Sequence, residues 1–344
     1  MTDWNTSSTM QNKRQPGLMM KLFRWSGIGL LAVVLLLSFA WGFGALYYDG
    51  PARWMAVVMT LAIVAVFGFV RGWRRKLGCF AAWFTMVLVW WLILKPTNVA
   101  DWQPDVAQLA SAQIDGDEVT VRNVRNCDYR TETDFTPHWE TRKVRLSQIT
   151  GIDLAINYWG SPWMAHPIAC FRFADAPPLC FSIETRKKKG QSYSAIGGLY
   201  RQFELVYVVA DERDVIRVRT NYRVGEDIYL YHTTATADQA RVRFLEYVGS
   251  LNGLRDQPRW YNAITTNCTT TIREQHSAAQ RMPWDWRLLL NGKADELMYE
   301  RSAIATGGLS FADLKRRAHI NPAALSAKDS PDFSARIREG LPGM

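Results

Sequence analysis

The sequence contains little cysteine and little histidine, with five residues of each in a chain of 344. No CxxC pair and no cysteine–histidine cluster has the spacing of a zinc site, so neither a metal nor another cofactor is predicted. The sequence also has no internal repeat and no low-complexity tract, which excludes a repeat architecture. A chain of this length is sufficient for one large or two ordinary domains.

Charged side chains are nearly absent from three apolar segments, at about 25–48, 54–71 and 77–95. Each segment approaches the roughly 20 residues that an α-helix needs to cross the hydrocarbon core of a bilayer. Aromatic residues flank the segments, as they do at membrane interfaces. We therefore predict a membrane region over 25–95 with three transmembrane helices. The alternative is a signal anchor followed by a buried helical hairpin.

Basic residues are concentrated before the first apolar segment and between the second and the third. The residues concerned are Lys13, Arg14, Lys21, Arg24, Arg71, Arg74, Arg75 and Lys76. The positive-inside rule places both groups in the cytoplasm, including the N-terminal tail over 1–24. The domain over 105–344 then lies on the other side of the membrane. No small-residue cleavage site follows the first segment, so we expect no cleaved signal peptide.

The net charge of +9 is largely explained by this arrangement, since eight basic residues act as topology determinants. Nucleic acid is therefore not predicted as a partner. The lipid bilayer is predicted as a partner, because the three apolar segments place the chain in it. The second part of the chain is only mildly basic; its charges either favour anionic head groups or form an ordinary solvated surface.

The second part of the chain mixes strand and helix patterns. Alternation or apolar runs predict strands, and helical spacing predicts an amphipathic helix that ends at Asn252-Gly253. The predicted strands are Val119–Val124, Lys143–Leu146, Ile168–Phe173, Leu179–Glu184, Val215–Thr220 and Asp227–Tyr231; the helix is Thr236–Asn252, and Ile196–Tyr207 is a helix or a long loop. We predict an α+β fold with helices on one side of a mainly antiparallel sheet.

One cysteine follows a polar, hydroxyl-rich turn. Thr265, Thr266 and Asn267 are residue types that cap helices, so Cys268 is expected in the first turn of a helix. Free N–H groups and the helix dipole there favour the thiolate, which is the nucleophile. Cys268 is thus a candidate nucleophile. It is alternatively a buried structural cysteine, or one half of a disulfide with Cys127.

The histidine best placed to serve this thiol is His166, which precedes an apolar strand. A strand can hold an imidazole rigidly toward a thiol on a helix. Ser182 and Glu184 share a face of the next strand, and either one could orient the ring. Alternatively, His166 is a hydrogen-bonded structural histidine, and Glu184 is a surface carboxylate paired with Arg186 or Arg172.

Two further groups of residues have candidate roles. Cys170 and Cys180 fall on the two strands of a predicted hairpin, and a disulfide between them is allowed on an oxidising side of the membrane. Arg213, Arg219 and Arg223 lie in a charge-rich stretch. They form either an ion-pair network or a site for a phosphate or carboxylate group, which arginine binds through two hydrogen bonds.

Several motifs together resemble the Lnb N-terminal periplasmic domain family, over roughly Val119 to Ser302. They are Phe181-Ser-Ile-Glu-Thr-Arg186, Tyr207-Val-Val-Ala-Asp-Glu-Arg-Asp214, Arg219-Thr-Asn-Tyr-Arg223, and Asn262 followed by Thr266-Asn-Cys-Thr-Thr-Thr271. The family is similar to circularly permuted papain-like NlpC/P60 proteins, in which the histidine precedes the cysteine. His166 and Cys268 have this order.

The resemblance implies a bacterial inner-membrane protein with a periplasmic papain-like domain. Some members of the family transfer an acyl chain from a phospholipid to the amino terminus of a lipoprotein through a thiolate. In those members the periplasmic domain precedes the membrane spans, whereas here the spans come first. The implied function is thiol-dependent acyl transfer, with Cys268 as nucleophile, His166 as base, Ser182 or Glu184 as orienting group and an N–H near Asn267 for the oxyanion. The alternatives are a cysteine peptidase or amidase of the cell envelope and a non-catalytic scaffold.

Overall fold

The computed structural model describes residues 18–275, 285, 287 and 291–344. Most of the predicted cytoplasmic tail lies outside this range. The chain divides into two compact units, Met1–Leu94 and Lys95–Met344.

The first unit consists of three apolar helices, α1 (Leu18–Asp49), α2 (Arg53–Phe69) and α3 (Trp73–Ile93). Two helical segments, Trp25–Asp49 and Trp73–Ile93, are long and apolar enough to cross a membrane. Helix α2 has only 17 residues and is shorter than such a span. All three apolar segments form helices, and two of the three helices are long enough to cross a membrane.

Close packing joins α1 to α3. A side chain at Gly42 would meet the ring of Trp83 at 2.6 Å, so the absence of a side chain allows the indole to lie against the α1 backbone. At the other end of the pair, the indole N–H of Trp91 donates to Asp49 Oδ2 at 2.7 Å.

Ten strands form most of the second unit. They are β1 (Ser111–Asp115), β2 (Glu118–Arg125), β3 (Asp128–Tyr129), β4 (Phe135–Thr136), β5 (Trp139–Arg145), β6 (Ile149–Trp159), β7 (Ala165–Phe173), β8 (Leu179–Arg186), β9 (Glu204–Asp211) and β10 (Glu226–His232). Eight of them form one sheet in the order β1-β2-β9-β8-β7-β6-β10, with β5 beside β2. All pairings in this sheet are antiparallel except the short contact between β2 and β9. The fold is therefore mixed α and β with a mostly antiparallel sheet, as predicted.

Helices of the second unit follow or interrupt the strands. They are α4 (Glu212–Val215), α5 (Ala237–Asp256), α6 (Cys268–Gln275), α7 (Ala294–Glu300), α8 (Phe311–Ala318), α9 (Asn321–Ser326) and α10 (Phe333–Arg336). Thr236 caps α5 in a capping box with Gln239, in which the two residues exchange side-chain-to-backbone hydrogen bonds.

The sheet is covered on both faces, so the prediction of helices on one side is wrong. On one face, Phe171 and Phe181 pack with Phe244 of α5 in a cluster that also contains Cys268. On the other face, a separate cluster joins alternate strand residues to Ile320 and Phe333 at the C-terminal end of the chain. The short C-terminal helices therefore complete a second core, which the mixed pattern of the tail does not reveal.

Three element predictions fail for local reasons. Val215–Thr220 is helical rather than a strand, because Asp211 caps the turn over 212–215 by accepting from Arg213 N–H. Within Ile196–Tyr207, the chain forms a short 3₁₀ turn and then enters β9. Helix α5 continues past Asn252-Gly253 to Asp256, and Leu254 in that extension is buried against the core.

Candidate active site

Cys268 is the first residue of α6, as the polar approach predicts. Asn267 holds the helix start, because its Oδ1 accepts from Thr270 N–H at 2.9 Å while Thr270 Oγ1 accepts from Asn267 N–H at 2.9 Å. Before the helix, the Asn262 carboxamide accepts from the backbone N–H groups of Ile264 and Thr265 and closes the turn. The residue before the thiol is therefore fixed by reciprocal hydrogen bonds.

His166 lies where two neighbouring strands part. The ladder between β7 and β8 ends at the pair Ile168 and Ser182, whereas β7 stays paired with β6 as far as Ala165. Strand β8 stays paired with β9 as far as Arg186. The sheet is thus forked at this point, and His166 lies on one arm of the fork.

A chain of hydrogen bonds runs from His166 across the fork. His166 Nε2 lies 2.7 Å from Ser182 Oγ, and the Ser182 hydroxyl donates to Glu184 Oε1 at 2.7 Å. Arg219 donates to the same Glu184 oxygen at 2.8 Å. Because the serine proton is donated to the carboxylate, Ser182 accepts from the ring, so Nε2 carries the proton and Nδ1 carries the lone pair. Ser182 and Glu184 act in series rather than as the alternatives that the sequence leaves open.

The carboxylate at the end of this chain is ionised. Burial alone would raise the pKa of Glu184, but Arg219, His166 and Arg125 hold it well below its usual range. The same surroundings keep the imidazole neutral, since burial lowers the pKa of His166 to about 4 against the attraction of Glu184. At neutral pH the ring is therefore an unprotonated base.

The thiol is also neutral at rest, contrary to the expectation of a thiolate at the helix start. Burial raises the pKa of Cys268 to about 11, although hydrogen bonds from Thr269 and from the backbone N–H groups of residues 268 and 269 oppose this rise. The free-energy cost of burying a thiolate in the core exceeds the stabilisation that one helix N-terminus gives it, since the dipole effect is typically below about 1 kcal/mol. The N–H groups of Cys268 and Thr269 do point at the sulfur region, where an oxyanion would form. The Asn267 N–H, in contrast, donates to Thr270 Oγ1 and is therefore not directed at an oxyanion.

One cavity of about 460 Å³ is lined by His166, Glu184, Asn267 and Cys268. Alternation along β7 places His166 on the face of Ile168 and Cys170, whereas Cys268 belongs to the core on the opposite face. The cavity includes residues from both arms of the fork, which explains how one space reaches side chains from both faces of the sheet.

The residues that line the cavity are of two chemical kinds. The charged ones include Arg219, Arg223, Glu184, Glu226 and Glu132. Arg223 pairs with Glu226 and with Glu132, each at 3.3 Å. The large apolar and aromatic ones are Trp159, Trp163, Met164, Tyr193 and Tyr261.

Of the three arginines considered for an anionic group, Arg213 lies elsewhere. Its guanidinium donates to the Ser330 carbonyl at 2.7 Å and it does not line the cavity. Arg219 and Arg223 line it, but glutamates already pair with both. Glu184 pairs with Arg219 rather than with Arg186 or Arg172.

The remaining cysteines lie away from the thiol. Cys170 and Cys180 occupy paired positions on β7 and β8 and are joined by a disulfide. Cys127 carries a thiol and belongs to a separate cluster with Tyr129 and Val218, so it forms no disulfide with Cys268. Within the described residues, the one group of metal-ligand types is Cys170, Cys180 and Glu212, and its sulfur atoms are bonded to each other.

Two contributors to the site were not predicted from the sequence. Asn157, buried in β6 and opposite His166 in the ladder, donates to Glu226 at 2.7 Å on the cavity wall. Thr270 fixes Asn267. The hydroxyl-rich run after Cys268 was a usable signal for Thr270, whereas Asn157 lies in a strand that the sequence pattern missed.

Comparison with known proteins gives one match. Residues 135–292 match the family model described as the Lnb N-terminal periplasmic domain. No curated protein and no solved structure matches the chain significantly. A periplasmic domain family and two helices long enough to span a membrane fit an inner-membrane protein. The matched segment carries His166, Glu184 and Cys268, so the candidate site lies in the part of the chain that is similar to the Lnb N-terminal periplasmic domain family.

Proposed function

We propose that this protein is a membrane-anchored, periplasmic, cysteine-dependent acyl-transfer enzyme with a permuted papain-like site. The observation that carries the proposal is the chain His166–Ser182–Glu184–Arg219 in the cavity that Cys268 also lines. Such a chain fixes the tautomer of an imidazole and stabilises the imidazolium that forms when it takes a proton. The anchor is three membrane helices, with the N-terminus in the cytoplasm.

The reaction begins from a neutral thiol and a neutral imidazole. His166 Nδ1 takes the proton of Cys268 as the sulfur attacks an acyl carbonyl, and the N–H groups at the start of α6 stabilise the oxyanion. The imidazolium then protonates the leaving group, and a thioester remains. An amine or water attacks this thioester, gives its proton to His166, and releases Cys268 as the thiol.

We call the hydrogen-bonded chain of His166, Ser182, Glu184 and Arg219 the relay. The roles of its members follow from the charge that each one carries. Glu184 is ionised, so its negative charge stabilises the positive charge that forms on His166 in the transition state. Ser182 links the two groups through its hydroxyl. Arg219 keeps Glu184 in its charged form. The relay therefore supplies both orientation and electrostatic stabilisation, although the ring is neutral at rest.

A peptidase or amidase would use the same residues. The charged lining residues Arg223 and Glu226 favour a polar peptide, whereas the aromatic lining residues Trp163 and Tyr193 favour an acyl chain. We propose a lipid or lipoprotein acyl group as the substrate, because the membrane anchor keeps the site at high effective concentration relative to lipids. The product distinguishes the two activities: an acyltransferase transfers a fatty acyl group from a lipid, whereas a peptidase or amidase cleaves an amide bond.

The test is formation of a thioester by the full chain in membranes supplied with a phospholipid or an activated acyl ester. Mass spectrometry of the 268-containing peptide detects the thioester, and hydroxylamine, which cleaves thioesters, should restore the free thiol and release the acyl group as a hydroxamate. We expect loss of the adduct in Cys268→Ala and a decrease of about 10² to 10⁴ in its rate of formation in His166→Ala. Cys127→Ser, which removes a buried thiol from another cluster, is the matched control and should leave the rate unchanged. An adduct that persists in Cys268→Ala, or a rate indifferent to His166→Ala, refutes the mechanism.

A further inference from the structure

Large apolar side chains are exposed on three loops around the cavity. They are Trp163 and Met164 between β6 and β7, Tyr193, Ile196 and Leu199 between β8 and β9, and Ile264 before α6, with exposed fractions of 40% to 60%. Six of the twelve exposed large apolar residues of the second unit, within the part of the chain that the structure describes, lie on these loops. We call these six residues the apolar rim.

The rim is held together by backbone contacts. The Ala263 N–H donates to the Gly198 carbonyl at 2.7 Å, and the Asn262 carboxamide donates to the Leu199 carbonyl at 3.1 Å. A side chain at Gly198 would meet Tyr261 at 3.3 Å, so the two loops approach closely. Trp163 and Met164 join them by lining the same cavity. The six rim residues therefore lie on loops around one opening, and hydrogen bonds join two of these loops to each other.

The charged residues within these loops are of one sign, although Lys188, Lys189 and Arg259 pair with Glu204, Asp101 and Glu274 outside them. The connecting segments over 160–164, 187–203 and 257–267 contain five basic residues and no acidic residue. The basic residues are Lys187, Lys188, Lys189, Arg201 and Arg259. Aromatic and aliphatic side chains beside lysine and arginine are the composition of surfaces that bind an anionic bilayer interface. An apolar protein partner would not require this charge.

We propose that the apolar rim inserts into the interface of an anionic phospholipid bilayer and docks the cavity opening on it. Trp163, Tyr193 and Ile196 enter the head-group region, and the basic residues contact lipid phosphates. The docking is independent of the thiol chemistry, so it is tested in a chain without Cys268.

The experiment uses the full chain carrying Cys268→Ala, reconstituted in nanodiscs of phosphatidylcholine and phosphatidylglycerol. A nitroxide is attached at Ile196→Cys, and the control is Leu325→Cys on α9, whose native side chain is equally exposed at 60%. The chain without an added cysteine gives the background from the native thiols. Electron paramagnetic resonance then compares collisions with oxygen, which concentrates in lipid, and with a water-soluble nickel chelate.

We expect the ratio of oxygen to nickel collisions at position 196 to be several-fold higher than at position 325. The ratio should fall when phosphatidylglycerol is omitted, and also when Ile264→Asp is added, whereas Ile114→Asp, at a site 47% exposed and outside the rim, should leave it unchanged. Equal ratios at positions 196 and 325 overturn the proposal. Protection from both reagents together with dipolar broadening also overturns it, because that result means that a second copy covers the rim.

Discussion

The neutral resting state of the thiol leads to a quantitative expectation for its alkylation by iodoacetamide. With a pKa of about 11, about 0.03% of Cys268 is thiolate at pH 7.5, against about 9% for an ordinary thiol of pKa about 8.5. This difference is about 300-fold. The greater intrinsic nucleophilicity of the more basic thiolate recovers about 10-fold to 18-fold of it, since the Brønsted coefficient is about 0.4 to 0.5. We expect Cys268 to react about 20-fold to 30-fold more slowly than an exposed thiol.

The assay follows the 268-containing peptide by mass spectrometry after timed alkylation of the full chain in detergent. The internal reference is a thiol introduced by Val224→Cys, at a position that is 99% exposed. The rate at Cys268 should rise about tenfold for each pH unit through pH 9.5, while the reference rate levels off above its pKa of about 8.5. This continued rise separates a high pKa from simple steric protection, which slows alkylation equally at every pH.

The reasoning also predicts what His166→Ala does in this assay. Unlike the proposed acyl transfer, alkylation by iodoacetamide consumes the thiolate that has already lost its proton to solvent. No imidazolium stabilises that thiolate at rest, so the alkylation rate should change by less than about twofold. A rate that levels off below pH 7, and that falls when His166 is removed, would show a resting thiolate–imidazolium pair and refute the assignment of a neutral pair.

Three stability changes follow from the fold, each measured by chemical denaturation of the chain in detergent. Thr236→Ala removes the capping box with Gln239 and should lower the free energy of unfolding by about 1 kcal/mol; no change would mean that α5 is held by packing alone. Phe244→Ala, at a fully buried position, should cost about 3 to 5 kcal/mol through the cavity it leaves, and a cost below that of Thr236→Ala would contradict the described core. Replacing Cys170 and Cys180 together by alanine should cost about 2 to 3 kcal/mol, because the bond closes a short loop with a sequence separation of 10; reductant should then have no further effect.

Much of the sheet could be predicted because several strands have simple patterns. The hairpin of β7 and β8 was predicted from two apolar runs separated by Ala174-Asp-Ala-Pro-Pro178, which forms the turn. The amphipathic spacing of α5 likewise gave its apolar face correctly. These patterns are local, so they can be interpreted without knowledge of the tertiary structure.

The longest strand of the second unit was missed for a physical reason. Strand β6 pairs with both β7 and β10. Its burial alternates over 149–154, but the side chains over 155–158 are all buried, so the strand has no continuous alternating pattern. It also carries Asp153 and Asn157, which are buried but bound by polar partners from distant parts of the chain. Such compensation depends on residues up to 185 positions away, as for the bond from Arg338 to Asp153, and no local pattern contains it.

The candidate site was predictable in its residue types but not in its connections. Alternation along β8 correctly put Ser182 and Glu184 on one face, but it could not order them into a relay. The sequence does not reveal the partner of Glu184, because Arg219 reaches it from a helical turn whose residues have the pattern of a strand. The height of the thiol pKa depends on burial in the core beside α5, which the helix-start motif does not reveal.

The disulfide lies close to the fork of the sheet. Cys170 and Cys180 face each other two ladder positions from the last pair, Ile168 and Ser182, beyond which β7 and β8 separate. A covalent bond at this point keeps β7 and β8 together on the paired side of the fork. It therefore fixes the position at which the two strands begin to separate. The distance between His166 on one arm and Glu184 on the other is thereby tied to the oxidation state of the compartment. A domain assembled where thiols remain reduced would lack this restraint, and its relay would be held by noncovalent pairing alone.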